Sequence, residues 1–202
     1  MFQIALTLLA ALLLGSIPTA HVLARFLNDT DIRRFGSGNV GALNAYRQLG
    51  KWAGVLVLTL DAGKGALAVY LGMTLDVPNA AVYGAAILAT LGHNFTPFLK
   101  FQGGKGAATV LGISMVMLWG ITLVSMGFGA IVFGATRHVL WSIVGVFVLL
   151  NALTIATAQS AGMILLCMVL SMVVGGTHLW RRHPHISSAL RQRQWRRLMT
   201  IE

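Results

Sequence analysis

Val139-Leu-Trp-Ser-Ile-Val-Gly-Val-Phe-Val-Leu-Leu-Asn-Ala-Leu-Thr-Ile-Ala-Thr157 carries no Asp, Glu, Lys or Arg. It runs close to the ~20 residues that an α-helix needs to cross the hydrocarbon core of a bilayer. Working outward, further apolar segments fall at 159–179, 125–136, 107–124, 80–98, 52–73 and 2–27. Mean hydropathy is +0.77, 56% of the 202 residues are hydrophobic and only 10% are charged. That is more apolar side chain than a soluble domain of this length buries. The expected architecture is a single all-α domain, 1–202, built as a polytopic transmembrane helix bundle of about seven membrane segments. The 107–136 stretch is too short for two full crossings with a turn, so Ser125–Thr136 is expected to be a short, glycine-containing half-helix.

Lys and Arg number 15 against 5 Asp and Glu, a formal net charge of +10. The basic residues lie between apolar runs rather than along one helix face. Such an excess fits anionic membrane lipid or a phosphorylated small molecule and argues against nucleic acid. Arg33, Arg34, Arg47 and Lys51 follow the first apolar segment, Lys100 and Lys105 the third, Arg137 precedes the sixth, and a basic tail begins at about Arg181. The loops near Asp76 and Gln159 carry no Lys or Arg. The positive-inside rule therefore predicts N-terminus out, C-terminus in, and the polar loops on the cytoplasmic side. The N-terminal stretch lacks a basic n-region and has Arg25 behind it, which favours a retained first span over a cleaved signal. Cys167 is the lone cysteine, so neither a disulfide framework nor Cys/His metal spacing is available, and no metal site is expected.

Three polar constellations carry the chemistry. Gly36-Ser37-Gly38-Asn39-Val40-Gly41-Ala42-Leu43-Asn44, with Arg47 beyond it, combines turn-forming residues, hydrogen-bond donors and a planar guanidinium suited to phosphate oxygens. Its plainest alternative is a loop whose Gly and Asn only make turns. Asp61 and Lys64 share a helix face inside an apolar segment, either neutralising each other structurally or lining a cavity. Gly92-His93-Asn94 leads into Gly103-Gly104-Lys105-Gly106, which reads as an anion cradle. Glycines let backbone N–H groups approach an anion, Lys105 adds a charge, and a helix starting near Ala107 adds its positive end. Gly63-Lys64-Gly65-Ala66 echoes Gly104-Lys105-Gly106-Ala107, too briefly to indicate a duplication.

Missing motifs narrow the reaction. Neither lysine of the two echoes is followed by Ser or Thr as a phosphate-binding NTPase loop requires, no His has an Asp five residues on, and there is no Gly-x-Ser-x-Gly. A transferase made of these parts would use an already activated donor and work by positioning and charge stabilisation.

Residues ~12 to 112 resemble the bacterial membrane family of acyl-phosphate:glycerol-3-phosphate acyltransferases. The likeness rests on Gly15-Ser16-Ile17-Pro18, Asp31-Ile32-Arg33 with Gly36 to Ala42 and Arg47, the Asp61…Lys64-Gly65 pair, and Gly92-His93-Asn94 with Phe101 to Thr109. The resemblance implies transfer of a fatty acyl group from acyl phosphate to the 1-hydroxyl of glycerol 3-phosphate, in phospholipid synthesis at the bacterial cytoplasmic membrane. It implies no nucleotide, CoA or other cofactor. It assigns Ser37 and Arg47 to catalysis or the phosphate pocket, and Lys105 with Gly103, Gly104 and Gly106 to glycerol-phosphate binding. Together with the reading of the residues, Ser37, Arg47 and Lys105 are the expected catalytic residues, and Gly38, Asn39, Gly41, Asn44, His93, Asn94, Gly103, Gly104 and Gly106 the expected substrate contacts. Two departures stand out. Leu43 replaces a small hydroxyl residue, and the family's C-terminal His-Arg-x-Asn has no full counterpart. Arg182 with His185, or Arg191 with Gln194, are the expected replacements. The competing reading is a non-catalytic membrane protein that binds or transports a small phosphorylated solute on the same scaffold.

Overall fold

The computed structural model describes the backbone of residues 1–191 and the side chains of residues 1–182. Among the described residues the regular structure is helical: α1 Phe2–Ser16, α2 Thr19–Asn28, α3 Ala42–Leu49, α4 Lys51–Thr74, α5 Asn79–Asn94, α6 Ala107–Met117, α7 Trp119–Thr136, α8 Val139–Ala156 and α9 Ala161–Arg191. Four of them, α4, α7, α8 and the Ala161–Arg182 part of α9, are long and apolar enough to cross a membrane; α1 and α2, bent by 41°, make a fifth if they form one broken span.

Pro18 causes that break. It has no N–H to donate, and it pushes Ile17 into extended backbone, φ −63° and ψ 116°. α2 then leaves at an angle and delivers the chain to the loop at 31–41.

The bundle is held by small residues. Ala11, Ala68, Ala85 and Ala89 form one cluster where α1, α4 and α5 meet. A Cβ on Gly15 would collide with the Ala89 carbonyl, and one on Gly112 with the Ala62 carbonyl, so α1–α5 and α4–α6 approach backbone to backbone. Close approach of this kind holds helices together where lipid gives no hydrophobic drive between them. A larger cluster, including Val69, Val82, Val110, Ile113, Phe147 and Leu170, joins α4, α5, α6, α8 and α9. Large apolar side chains such as Leu58, Val124, Ile131, Val148 and Met172 point outward, as they do where the surrounding solvent is hydrocarbon.

The expected half-helix at 125–136 is corrected by α7, which runs unbroken through Trp119–Thr136. The short apolar helix is α6, and the break falls at Leu118, whose φ of −142° and ψ of 45° end it. Hydropathy is uniform across this point, so composition held no signal for its place. Gly63-Lys64-Gly65-Ala66 lies inside α4, whereas Gly104 to Ala107 leads from loop into α6, so the echoed tetrapeptides are structurally unrelated.

Gly112→Val should force α4 and α6 apart and lower the thermal unfolding midpoint in detergent, at a cost of about 1–3 kcal/mol or more. Gly127→Ala, at a helical position with open space around it, should leave the midpoint unchanged or raise it.

Candidate active site

The break in the first span leaves backbone carbonyls without helical partners, and polar side chains from other helices take them. Lys64 Nζ donates to the Ile17 carbonyl at 2.8 Å, and Thr96 Oγ1 donates to the Ser16 carbonyl at 2.6 Å. Thr19, the first residue of α2, donates its hydroxyl to Asp61 Oδ1. Asp61 and Lys64 pair at 2.9 Å with side chains 1% and 6% exposed. The pair is therefore a staple on the kink, with both charges satisfied at once. His93 joins it, its Nδ1 lying 3.6 Å from Asp61 Oδ1.

The loop at 31–41 is organised from within. Asn44, 1% exposed, donates Nδ2 to the carbonyls of Ile32, Phe35 and Asn39 at 3.2, 3.1 and 3.1 Å. Its Oδ1 accepts the Ser37 N–H at 3.2 Å. Gly36 and Gly38 take φ of +57° and +67°, where side chains are rarely tolerated, and Gly41 caps α3. Ser37 and Arg47 are exposed on the outer side of this loop and of α3. Asn44 and Gly41 thus shape the loop, and Ser37, Gly38, Asn39 and Arg47 are what it presents.

Arg33, which sequence reasoning gave no role, joins the first polar loop to the second. Its guanidinium grips Asp31 with Nε at 2.9 Å and Nη2 at 2.6 Å, and Nη1 donates to the Leu99 carbonyl at 3.2 Å. This charged fork holds the Asp31 carboxyl far below the usual carboxylate range.

The glycine segment is built differently from the expected cradle. Gly103 N–H donates to the Asn94 carbonyl at 3.1 Å and Gly104 N–H to the His93 carbonyl at 2.9 Å, so two of its donors are already engaged. The absent Cβ positions also face inward: on Gly103 toward the His93 carbonyl, on Gly104 toward the His93 imidazole, and on Gly106 toward the Asn94 side chain. These glycines fold the loop onto the end of α5. What remains open to an anion is the half-buried Lys105 and the start of α6, which Gly106 caps at φ +85°.

The third partner comes from the far end of the chain. Arg181 donates Nη1 to the Gly103 carbonyl and Nη2 to the Asn94 carbonyl, the latter at 2.6 Å. Asn94 Nδ2 donates to Thr177 Oγ1 at 2.9 Å, and Trp180 meets Phe95 with ring centroids 5.9 Å apart. One turn of α9 thereby clamps the glycine loop. Arg182 and His178 lie within electrostatic reach of Lys105, and His178 Nε2 is buried without a hydrogen-bond partner among the described residues. Burial, then Arg182 and Arg181, pull the Lys105 ammonium down to about 8. Of the expected C-terminal replacements only Arg182 has a described side chain; His185 and Arg191 fall on α9 beyond the described side chains, and Gln194 lies outside the described residues. Sequence reasoning counted Arg181 with a tail because the apolar run ends near Leu179, whereas α9 continues, and it passed over Thr177 and His178 as part of that run; their i, i+1, i+4 spacing was the available signal.

Hydrogen bonds and ion pairs thus link the loop at 31–41, the Asp61–Lys64 pair, the glycine loop and the end of α9. A family model described as glycerol-3-phosphate acyltransferase matches residues 5–192. The chain belongs to the glycerol-3-phosphate acyltransferase family. Glycerol-3-phosphate acyltransferase 2 of Moorella thermoacetica is 52% identical over 112 residues, covering 55% of this chain and 57% of its own. The glycerol-3-phosphate acyltransferase of Syntrophotalea carbinolica is likewise matched over 57% of its length, and that of a Synechococcus species is 40% identical over 86% of both chains. The crystal structure of PlsY (YgiH), described as an integral membrane glycerol 3-phosphate acyltransferase in its glycerol 3-phosphate form, superposes with a TM-score of 0.83 at 28% identity, covering 94% of this chain and 93% of that one. Its lysophosphatidic acid form gives 0.80 at 27% identity. The family's membrane helix fold therefore extends over nearly all of this chain.

Lys64→Met should strand the Asp61 carboxylate and the Ile17 carbonyl in the bundle, costing about 3–5 kcal/mol. Adding Asp61→Asn should restore a good part of the lost thermal midpoint, and a double-mutant cycle in detergent measures that coupling.

Proposed function

We propose that the chain moves a fatty acyl group from acyl phosphate to the 1-hydroxyl of glycerol 3-phosphate, releasing phosphate and lysophosphatidic acid. The observation that carries this reading is the joining of the loop at 31–41, the glycine loop and the end of α9, through Arg33 to the Leu99 carbonyl and Arg181 to the Gly103 and Asn94 carbonyls. They form a basic, partly buried site at one end of an apolar bundle, and family membership supports the same reaction. In the proposed arrangement Ser37 and Arg47 serve the donor phosphate, while Lys105 and the start of α6 hold the acceptor phosphate. Gly38 and Asn39 complete the donor side. The hydroxyl oxygen attacks the acyl carbonyl carbon, the carbon–oxygen bond to phosphate breaks, and a donor phosphate oxygen takes the hydroxyl proton. The protein's part is alignment and stabilisation of the charge gathering on the leaving phosphate.

The proposed setting is the bacterial cytoplasmic membrane, with the N-terminus outside and the site facing the cytoplasm. Its support is the grouping of Arg33, Lys105, Arg181 and Arg182 at one end, while the turn at Asp76 carries no Lys or Arg. The basic run beyond Trp180 would meet anionic lipid of the same leaflet.

Purified protein in detergent, given acyl phosphate, should release phosphate only when glycerol 3-phosphate is present. Lys105→Ala, Ser37→Ala and Arg47→Ala should each lower that rate by about 10²-fold or more while the protein stays folded. Acceptor binding without phosphate release would favour the non-catalytic reading instead.

The ammonium is the form that binds phosphate, and its lowered value means the charge is lost earlier on the alkaline side than in an ordinary lysine. The kcat/KM for glycerol 3-phosphate, which reports the free enzyme, should therefore fall as pH rises through about 8. Lys105→Arg should remove that alkaline fall.

A further inference from the structure

His93 was expected to touch substrate. Its ring instead stands behind the glycine loop, between the Asp61–Lys64 staple and Gly104. Nδ1 faces Asp61 Oδ1 at 3.6 Å. On the opposite side, a Cβ added to Gly104 would meet Nε2, Cε1 and Cδ2 of the same imidazole as its three nearest atoms. The ring is therefore in contact with the Gly104 backbone, and it is 6% exposed. The His93 carbonyl accepts the Gly104 N–H at 2.9 Å, so one residue sets the loop's height through both its backbone and its side chain. Lys105 is the next residue, and any shift of Gly104 moves its ammonium.

We propose that His93 is a positioning residue: its imidazole is a spacer that transmits the fixed position of the stapled kink to the glycine loop, and Gly104 is glycine to admit that ring rather than to admit an anion. The two interpretations of Gly104 separate cleanly. If the missing Cβ made room for phosphate, shrinking His93 would not compensate for a methyl at 104. If it makes room for the ring, it would.

This rests on the proposed acyl transfer for its kinetic readout, and the unfolding readout keeps it independent. The variants are Gly104→Ala, His93→Ala and the pair, each assayed for acceptor-dependent phosphate release and for thermal unfolding in detergent. Gly104→Ala should raise the KM for glycerol 3-phosphate at least tenfold through a displaced Lys105, with a smaller effect on kcat. His93→Ala alone should also weaken the acceptor, since the loop loses its backing. The pair should recover at least tenfold in kcat/KM over Gly104→Ala, and should unfold at a higher temperature than it. If Gly104→Ala is not obtained folded, recovery of folded protein on adding His93→Ala is the same rescue. A pair no better than Gly104→Ala in either readout overturns the proposal. Should the wild type release no phosphate, the acyltransfer reading fails, and rescue of the unfolding midpoint alone still decides the role of His93.

Discussion

Lys64 and the Ile17 carbonyl form the contact on which the site's arrangement depends. A proline in the first span leaves bare carbonyls in an apolar bundle, and each unsatisfied group there costs several kcal/mol. Lys64 Nζ meets one carbonyl, and Asp61 neutralises the ammonium while accepting the Thr19 hydroxyl at the start of α2. The kink is thereby fixed in direction, and with it the path of α2 to the loop at 31–41. Thr96 ties the same kink to the segment that precedes the glycines. Two polar loops far apart in sequence share one origin.

From that origin the structure works by layers. Glycine and alanine contacts set helix α1 against α5 and α4 against α6, while Arg33 and Arg181 hold loops by their backbone carbonyls. Arginine suits that work because one planar group reaches several acceptors and remains charged. It follows that the basic residues divide into two kinds. Arg33 and Lys64 are committed to holding the chain together; the half-buried Lys105 makes neither of those ties and is the cation proposed for the acceptor phosphate.

The membrane class was legible in the sequence, because apolar runs and hydropathy are read directly from composition, and so were Asp61, Lys64 and His93, which the structure brings into contact. Sequence reasoning misplaced the short helix, since the break at Leu118 falls within unbroken hydropathy and has no proline to announce it. It took Gly103, Gly104 and Gly106 for an anion cradle because a glycine's pattern tells only that a Cβ is unwelcome, not which neighbour excludes it. The neighbours are His93 and Asn94. It also saw Asp61 and Lys64 as a pair on one helix but not the kink they serve, which belongs to another helix. The C-terminal partners escaped for a related reason: α9 outlasts its apolar stretch, so Arg181 was counted with a tail when it belongs to a wall.

Neutralisation of Lys64 by Asp61 has an electrostatic corollary. The middle of the bundle holds no net charge from this pair, whereas the rim carries Lys105, Arg181 and Arg182 close together. The excess positive charge therefore sits at the rim rather than at the buried pair. For any molecule with an anionic head and a hydrocarbon tail, such a distribution favours the head at the basic rim over the head in the bundle interior.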